Sequence, residues 1–232
     1  EEKPFCFFVV DFSQVIGEPF LSMPEPGCLN IHPSLLPAYR GAAPIQRAIT
    51  NGENETGVTV FRLVGEVDAG PVLLSSRVEV GEEDTLGDLA EVLAVEGSRL
   101  AVEGLELFRK RRISFREQQQ DKATYAPKVT RQETGIRWEK PSQEVHNLVR
   151  SLNPYPGSHF YLRGIRTKLW RTRARPGEGS PGEVIGFMDG FPLVACGEGS
   201  VELMEVQAEG RRRTDGAGWS RGRALKKGDM MN

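Results

Sequence analysis

Asn30 and His32 stand two positions apart at the end of Gly27-Cys28-Leu29-Asn30-Ile31-His32, a run that reads as a β-strand. Residues i and i+2 of a strand share a face, so the two polar side chains project together while Leu29 and Ile31 point the other way. Two polar groups closing an otherwise apolar strand are costly unless something uses them. Asp68 follows in Gly65-Glu66-Val67-Asp68-Ala69-Gly70, and it reaches His32 if the intervening chain returns to the same end of the sheet. An amide, an imidazole and a carboxylate, with no metal-ligand spacing and no G-x-S-x-G serine, suit acyl transfer directly between two bound substrates. An amine attacks a carbonyl, charge grows on the carbonyl oxygen, and the amine sheds a proton. Asn30 and His32 would hold the oxyanion, where one donor typically contributes ~10²- to 10³-fold in rate. Asp68 would either orient and charge-stabilise His32 or take the proton through a water.

The elements that must position these groups follow from periodicity. Phe5 to Val10 is short and almost entirely apolar, as in a strand buried on both faces of a parallel sheet. The loop Pro33 to Gly41 leads to a short helix around Pro44 to Thr50, closed by Asn51-Gly52. Thr56 to Val64 and Val72 to Val80 alternate as strands on either side of the Asp68 segment. Asp84 or Thr85 caps a long helix carrying Leu86, Leu89, Leu93, Leu100 and Phe108 on one side. This is half of a doubly wound α/β domain, whose ligand crevice lies at the carboxyl ends of strands, where Asn30 and His32 fall.

Beyond the polar stretch Glu117 to Ala123, a linker by composition, Pro141 starts a short helix with Val145, Leu148, Val149 and Leu152 on one side. Short strands with glycine turns follow at His159 to Leu162, Ile165 to Thr172, Gly182 to Gly186, Leu193 to Cys196 and Val201 to Val206, the pattern of a small barrel. Arg211 to Arg223 reads as a Gly/Arg-rich patch, and Tyr155, Trp170 and Trp219 as barrel core.

Net charge is only −2, but residues 1–124 hold 20 acids and 12 bases, whereas residues 125–232 hold 12 acids and 18 bases. An acidic half of −8 joined to a basic half of +6 suggests that the second half meets a polyanion, the alternative being a solvated basic face. Between Phe160 and Pro176, Arg163, Arg166, Lys168, Arg171, Arg173 and Arg175 occur without an acid, a strip suited to phosphates. Cys6, Cys28 and Cys196 are scattered and read as reduced core residues, with neither a disulfide framework nor a metal site expected. With no apolar run of spanning length and no signal-peptide pattern at the start, no membrane association is expected and the default setting is cytoplasmic.

The string Asn30-Ile31-His32-Pro33-Ser34-Leu35-Leu36-Pro37-Ala38-Tyr39-Arg40-Gly41-Ala42-Ala43-Pro44-Ile45-Gln46 resembles the signature of the 10-formyltetrahydrofolate-dependent formyltransferases, in particular the methionyl-tRNA formyltransferases. The resemblance continues through Tyr125-Ala126-Pro127-Lys128, Asn153-Pro154-Tyr155-Pro156-Gly157 and Lys168-Leu169-Trp170, covering nearly the whole chain. It implies catalytic roles for Asn30, His32 and Asp68, although Gly65-Glu66-Val67-Asp68 carries one residue more than the family's turn. It implies folate contacts at Ser34, Leu35, Leu36 and Pro37; a rigid, apolar loop is the other reading, and both can hold. Arg40 and Gln46 either line the cleft or serve the structure.

The fold implied is the C-terminal part of a Rossmann-like formyltransferase domain (residues 1–114), a linker (115–129) and an OB-like β-barrel domain (130–232) that binds tRNA through Arg163, Arg166, Lys168 and Arg171. The substrates implied are 10-formyltetrahydrofolate as formyl donor and methionyl initiator tRNA, with the protein expected as a monomer. Family members open with about three βαβ units absent here, so this chain alone is expected to expose strand edges and to be poorly soluble or inactive. The rivals are formyl transfer to an amino sugar nucleotide and a catalytically inactive tRNA-binding fragment.

Overall fold

A computed structural model of the chain describes residues 6–10, 16–17, 21 and 27–232. They form two compact units: the first runs to Lys128, except for Ile49–Gly52 and Glu83–Gly87, which group with Val129–Asn232 in the second.

In the first unit, β1 (Phe7–Val10), β2 (Cys28–His32), β3 (Glu55–Arg62) and β4 (Val72–Glu79) form one sheet in the order β1-β2-β3-β4. Phe5, expected in the first strand, lies outside the described residues. The sheet is mixed: β1 and β2 are parallel, whereas β2–β3 and β3–β4 are antiparallel. The parallel, doubly wound expectation therefore holds only at β1–β2. Only nine residues separate β3 from β4, fewer than the dozen or so a parallel crossover needs. The expected double-sided burial fails in β1, where Phe7 to Val9 are half-buried and Val10 is exposed.

Helix α1 (Pro44–Thr50) follows the site loop, and α2 (Leu86–Arg109) buries Leu89, Leu93, Gly97, Leu100, Gly104 and Phe108, spaced three or four apart along one face. Gly97 lets this face approach β2: a Cβ there would meet the Ile31 side chain at 2.9 Å. Residues 115–128 are bonded to the first unit, through pairing of Arg116 with Val72 and of Tyr125 with Arg40, and through the buried Gln118.

The second unit contains α3 (Ser142–Ser151), β5 (Ser158–Leu162), β6 (Ile165–Arg175), β7 (Val184–Met188), β8 (Phe191–Ala195), β9 (Ser200–Ala208), β10 (Thr214–Asp215) and α4 (Gly216–Gly222). The strand path is β5-β6-β9-β8-β7, with β10 on β9. It does not close into a barrel by direct strand pairing; instead the last residues bridge its ends, Met231 pairing with Leu162 and Met230 with Glu183. The core includes Val145, Val149, Leu169, Val194 and Val201, and the Phe160 ring meets Trp138 and Trp219 edge-on at 5.8 and 5.9 Å. Trp170 and Trp219 are core residues as expected, but Tyr155 is 77% exposed. The Gly/Arg-rich patch carries β10 and α4: the Asp215 carboxylate accepts from the Gly218 amide at 2.7 Å and caps α4, which buries Trp219.

Candidate active site

His32 ends β2 and is buried. Its Nε2 lies 2.9 Å from the Tyr39 carbonyl oxygen. A carbonyl only accepts, so Nε2 carries the hydrogen, and Nδ1 is the ring atom turned toward Asp68, 3.6 Å from Oδ2. That same Oδ2 accepts the Gly41 amide at 2.8 Å. Asp68 holds its orientation with a left-handed backbone (φ +49°), which aspartate tolerates better than most residues.

The loop that supplies Tyr39 and Gly41 is fixed from within. The Ser34 hydroxyl donates to the Ala38 carbonyl at 2.6 Å, while the Thr59 hydroxyl donates to the Ser34 carbonyl and accepts from the Leu36 amide. Tyr39 donates its phenol to Glu53 and its amide to the Thr124 hydroxyl.

Asn30, His32 and Asp68 all line one cavity of about 370 Å³, whose walls include Val9, Leu63 and Val64. A few polar groups converging in a cavity with partly apolar walls are the usual form of a small-molecule site. The three residues singled out by type and spacing are thus brought together. Ser34, Leu35, Leu36 and Pro37 are not among the cavity-lining residues: Ser34 is fully buried, and Leu36 packs with Phe61 and Val72. Gln46 does not line the cavity either.

Arg40 serves the structure. Its guanidinium, 1% exposed, donates through Nε and Nη2 to Gln118 Oε1, and Nη1 lies 3.8 Å from Glu66. Gln118 in turn donates to the carbonyls of Asp68 and Gly70. Sequence reasoning missed Gln118, which sits in a polar stretch with no local signal of burial.

The basic strip is organised by a bulge. The register of β6 against β9 shifts between Leu169 and Arg171, so the alternation changes phase at Trp170. Arg166 and Lys168 before the bulge and Arg171, Arg173 and Arg175 after it therefore share the outer face, opposite the buried Thr167, Leu169 and Thr172. Burial, then the neighbouring Arg166, holds His159 below the usual histidine range, and the same two causes followed by Arg213 lower Lys168. Arg163 does not join this face: it donates to both Asp229 oxygens and to the Arg223 carbonyl. A turn at positive φ (+50°) takes Arg163 out of the strand and toward the C-terminal segment.

Among the described residues no helix is long and apolar enough to cross a membrane, and no cluster of His, Cys, Asp or Glu is arranged to hold a metal ion.

Family models described as formyl transferase and as formyl transferase, C-terminal domain match residues 2–105 and 128–224. A methionyl-tRNA formyltransferase of Cereibacter sphaeroides is 40% identical over 222 residues, covering 96% of this chain and 72% of the relative. One of Paracoccus denitrificans is 43% identical over 217 residues, covering 94% and 71%. HypX from Aquifex aeolicus, solved in complex with tetrahydrofolic acid, aligns over 99% of this chain and 42% of its own with a TM-score of 0.73; at 19% identity it speaks for the fold.

Proposed function

This chain belongs to the formyl transferase family, and we propose that it moves the formyl group of 10-formyltetrahydrofolate onto the amino group of methionyl initiator tRNA for translation initiation. The observation that carries this reading is the convergence of Asn30, His32 and Asp68 on one cavity. The cavity's size and mixed lining suit part of a folate, and the basic face of β6 suits the tRNA.

The chemistry follows from the geometry. The amine nitrogen bonds to the formyl carbon, and the carbonyl oxygen takes up negative charge. The Asn30 amide donates to that oxygen, joined by His32 through a protonated Nδ1. Asp68 stabilises the charged imidazole and receives the amine's proton through a water. The C–N bond to the folate then breaks, the carbonyl re-forms and the folate nitrogen takes, through the same water, the proton that Asp68 received.

Residues 1–114 act as the catalytic part and residues 130–232 as an OB-like docking part that holds phosphates without reading sequence. Arg166, Lys168 and Arg171 serve the tRNA in this reading, joined by Arg173, while Arg163 braces the C-terminal segment. Ser34, Leu35, Leu36 and Pro37 support folate binding indirectly, by fixing the loop that presents Tyr39 and Gly41. The setting inferred is the cytoplasm and the working form a monomer. Formyl transfer by the purified protein to methionyl initiator tRNA, run beside an amino sugar nucleotide acceptor, tests the assignment. Transfer only to the sugar would overturn the choice of acceptor, and tRNA binding without transfer to either would overturn the enzymatic reading.

A further inference from the structure

Asp68 needs more than its own turn to stay in place. Its backbone is left-handed, its side chain projects toward His32, and the flanking Gly65, Glu66 and Val67 are exposed. Besides the Gly41 amide on its carboxylate, the turn is held through its backbone carbonyls by the Gln118 amide. Nε2 gives one hydrogen to the Asp68 carbonyl at 2.8 Å and the other to the Gly70 carbonyl at 2.7 Å. Oε1 accepts twice from Arg40, at 3.1 and 2.7 Å. All the principal hydrogen-bonding positions of the amide are filled, and its orientation is set, because the reverse would aim Oε1 at two carbonyl oxygens. Arg40 is followed directly by Gly41, whose amide holds the Asp68 carboxylate. One buried pair thus secures both ends of the residue: the backbone through Gln118 and the side chain through the segment that Arg40 anchors.

We propose that Gln118 is the positioning residue of the formyl-transfer site, acting through Asp68 rather than touching substrate, with Arg40 as the charge that fixes its amide. This deepens the reading given above and rests on it. Gln118→Glu separates the two functions of the side chain. A carboxylate still accepts from the buried Arg40, so the guanidinium stays paired, but both donors to the Asp68 turn are lost and its carbonyls are repelled.

The test compares wild type, Q118E, D68N and the double variant, with hydrogen exchange of the Gly41 amide as a readout independent of catalysis. Small misplacements of catalytic groups cost up to ~10²-fold, so Q118E should lower kcat by about 10- to 100-fold while leaving KM for both substrates near wild type. In the D68N background the same change should cost almost nothing, because coupled residues are not additive. Gly41 exchange should quicken at least about tenfold, with the amides of β6 unchanged. Gln118→Met, close in shape but without the donors and without the acceptor for Arg40, whose guanidinium keeps Glu66 at 3.8 Å, replaces Q118E if the added charge prevents folding. Wild-type Gly41 protection in a folded variant, or an equal loss of kcat with and without Asp68, overturns the proposal. An inactive wild type whose Gly41 still responds to Q118E would instead count against the reaction assigned and leave the clamp standing.

Discussion

The Asp68 oxygen that faces His32 Nδ1 at 3.6 Å is the same atom that accepts the Gly41 amide at 2.8 Å. The carboxylate is therefore aimed by the backbone, and the imidazole, tied at Nε2 to the Tyr39 carbonyl, is aimed independently. Two groups fixed from different parts of one loop need little rearrangement when charge develops between them, which is what electrostatic preorganisation requires.

Gly41 is the point where this arrangement is most exposed to change. It sits at φ +117°, where side chains are strained, and an added Cβ would meet the Ala126 carbonyl oxygen at 2.9 Å. Gly41→Ala should cost about 1–3 kcal/mol of stability, read from urea unfolding. Because the same amide holds Asp68, kcat should fall as well.

The outer face of β6 makes a prediction about salt. Among the described residues Arg171 and Arg173 form no ion pair, whereas Arg175 is bound to Glu202 and Arg163 to Asp229. If the first two meet phosphates, Arg171→Ala and Arg173→Ala should each reduce the slope of log affinity against log salt by about 1. Arg163→Ala should leave the slope unchanged and show its effect in thermal unfolding instead, as the Asp229 tie is lost.

His159 makes a prediction about pH. Burial and then Arg166 hold its folded value below that of an ordinary histidine, so its protonated form is disfavoured. A bound phosphate offsets Arg166 and Lys168 and raises that value, so binding takes up a proton. Affinity for tRNA should strengthen as pH falls through the bound-state value, and His159→Ala should flatten that dependence in fluorescence titrations. The sign for stability agrees: with the folded value depressed, His159 destabilises the fold progressively as pH drops below 6.5.

What the sequence revealed was what local spacing controls. Asn30 and His32 share a strand face by the period of two, and a glycine-flanked Asp68 returns to them as the strand pattern on either side requires. The α2 face was legible from its three- and four-residue steps. The rest depended on distant partners or on the main chain. Tyr39 and Gly41 act through a carbonyl and an amide, which every residue possesses. Gln118 is bonded to residues 50 and 78 positions away. Arg163 pairs with Asp229, 66 residues on, and so left the strip where composition had placed it. The α4 cap at Asp215 did leave a local trace, an Asp before a Gly-rich turn, but the surrounding arginines and glycines masked it.

In the proposed mechanism His32 and Asp68 act together on a formyl carbon in the transition state. Single-turnover formyl transfer at saturating methionyl initiator tRNA and 10-formyltetrahydrofolate, comparing wild type with His32→Ala and Asp68→Asn, tests it most directly. Each change should slow the step by at least ~10²-fold with tRNA affinity preserved. Wild-type rates in either variant, or a loss wholly explained by weaker substrate binding, would contradict it.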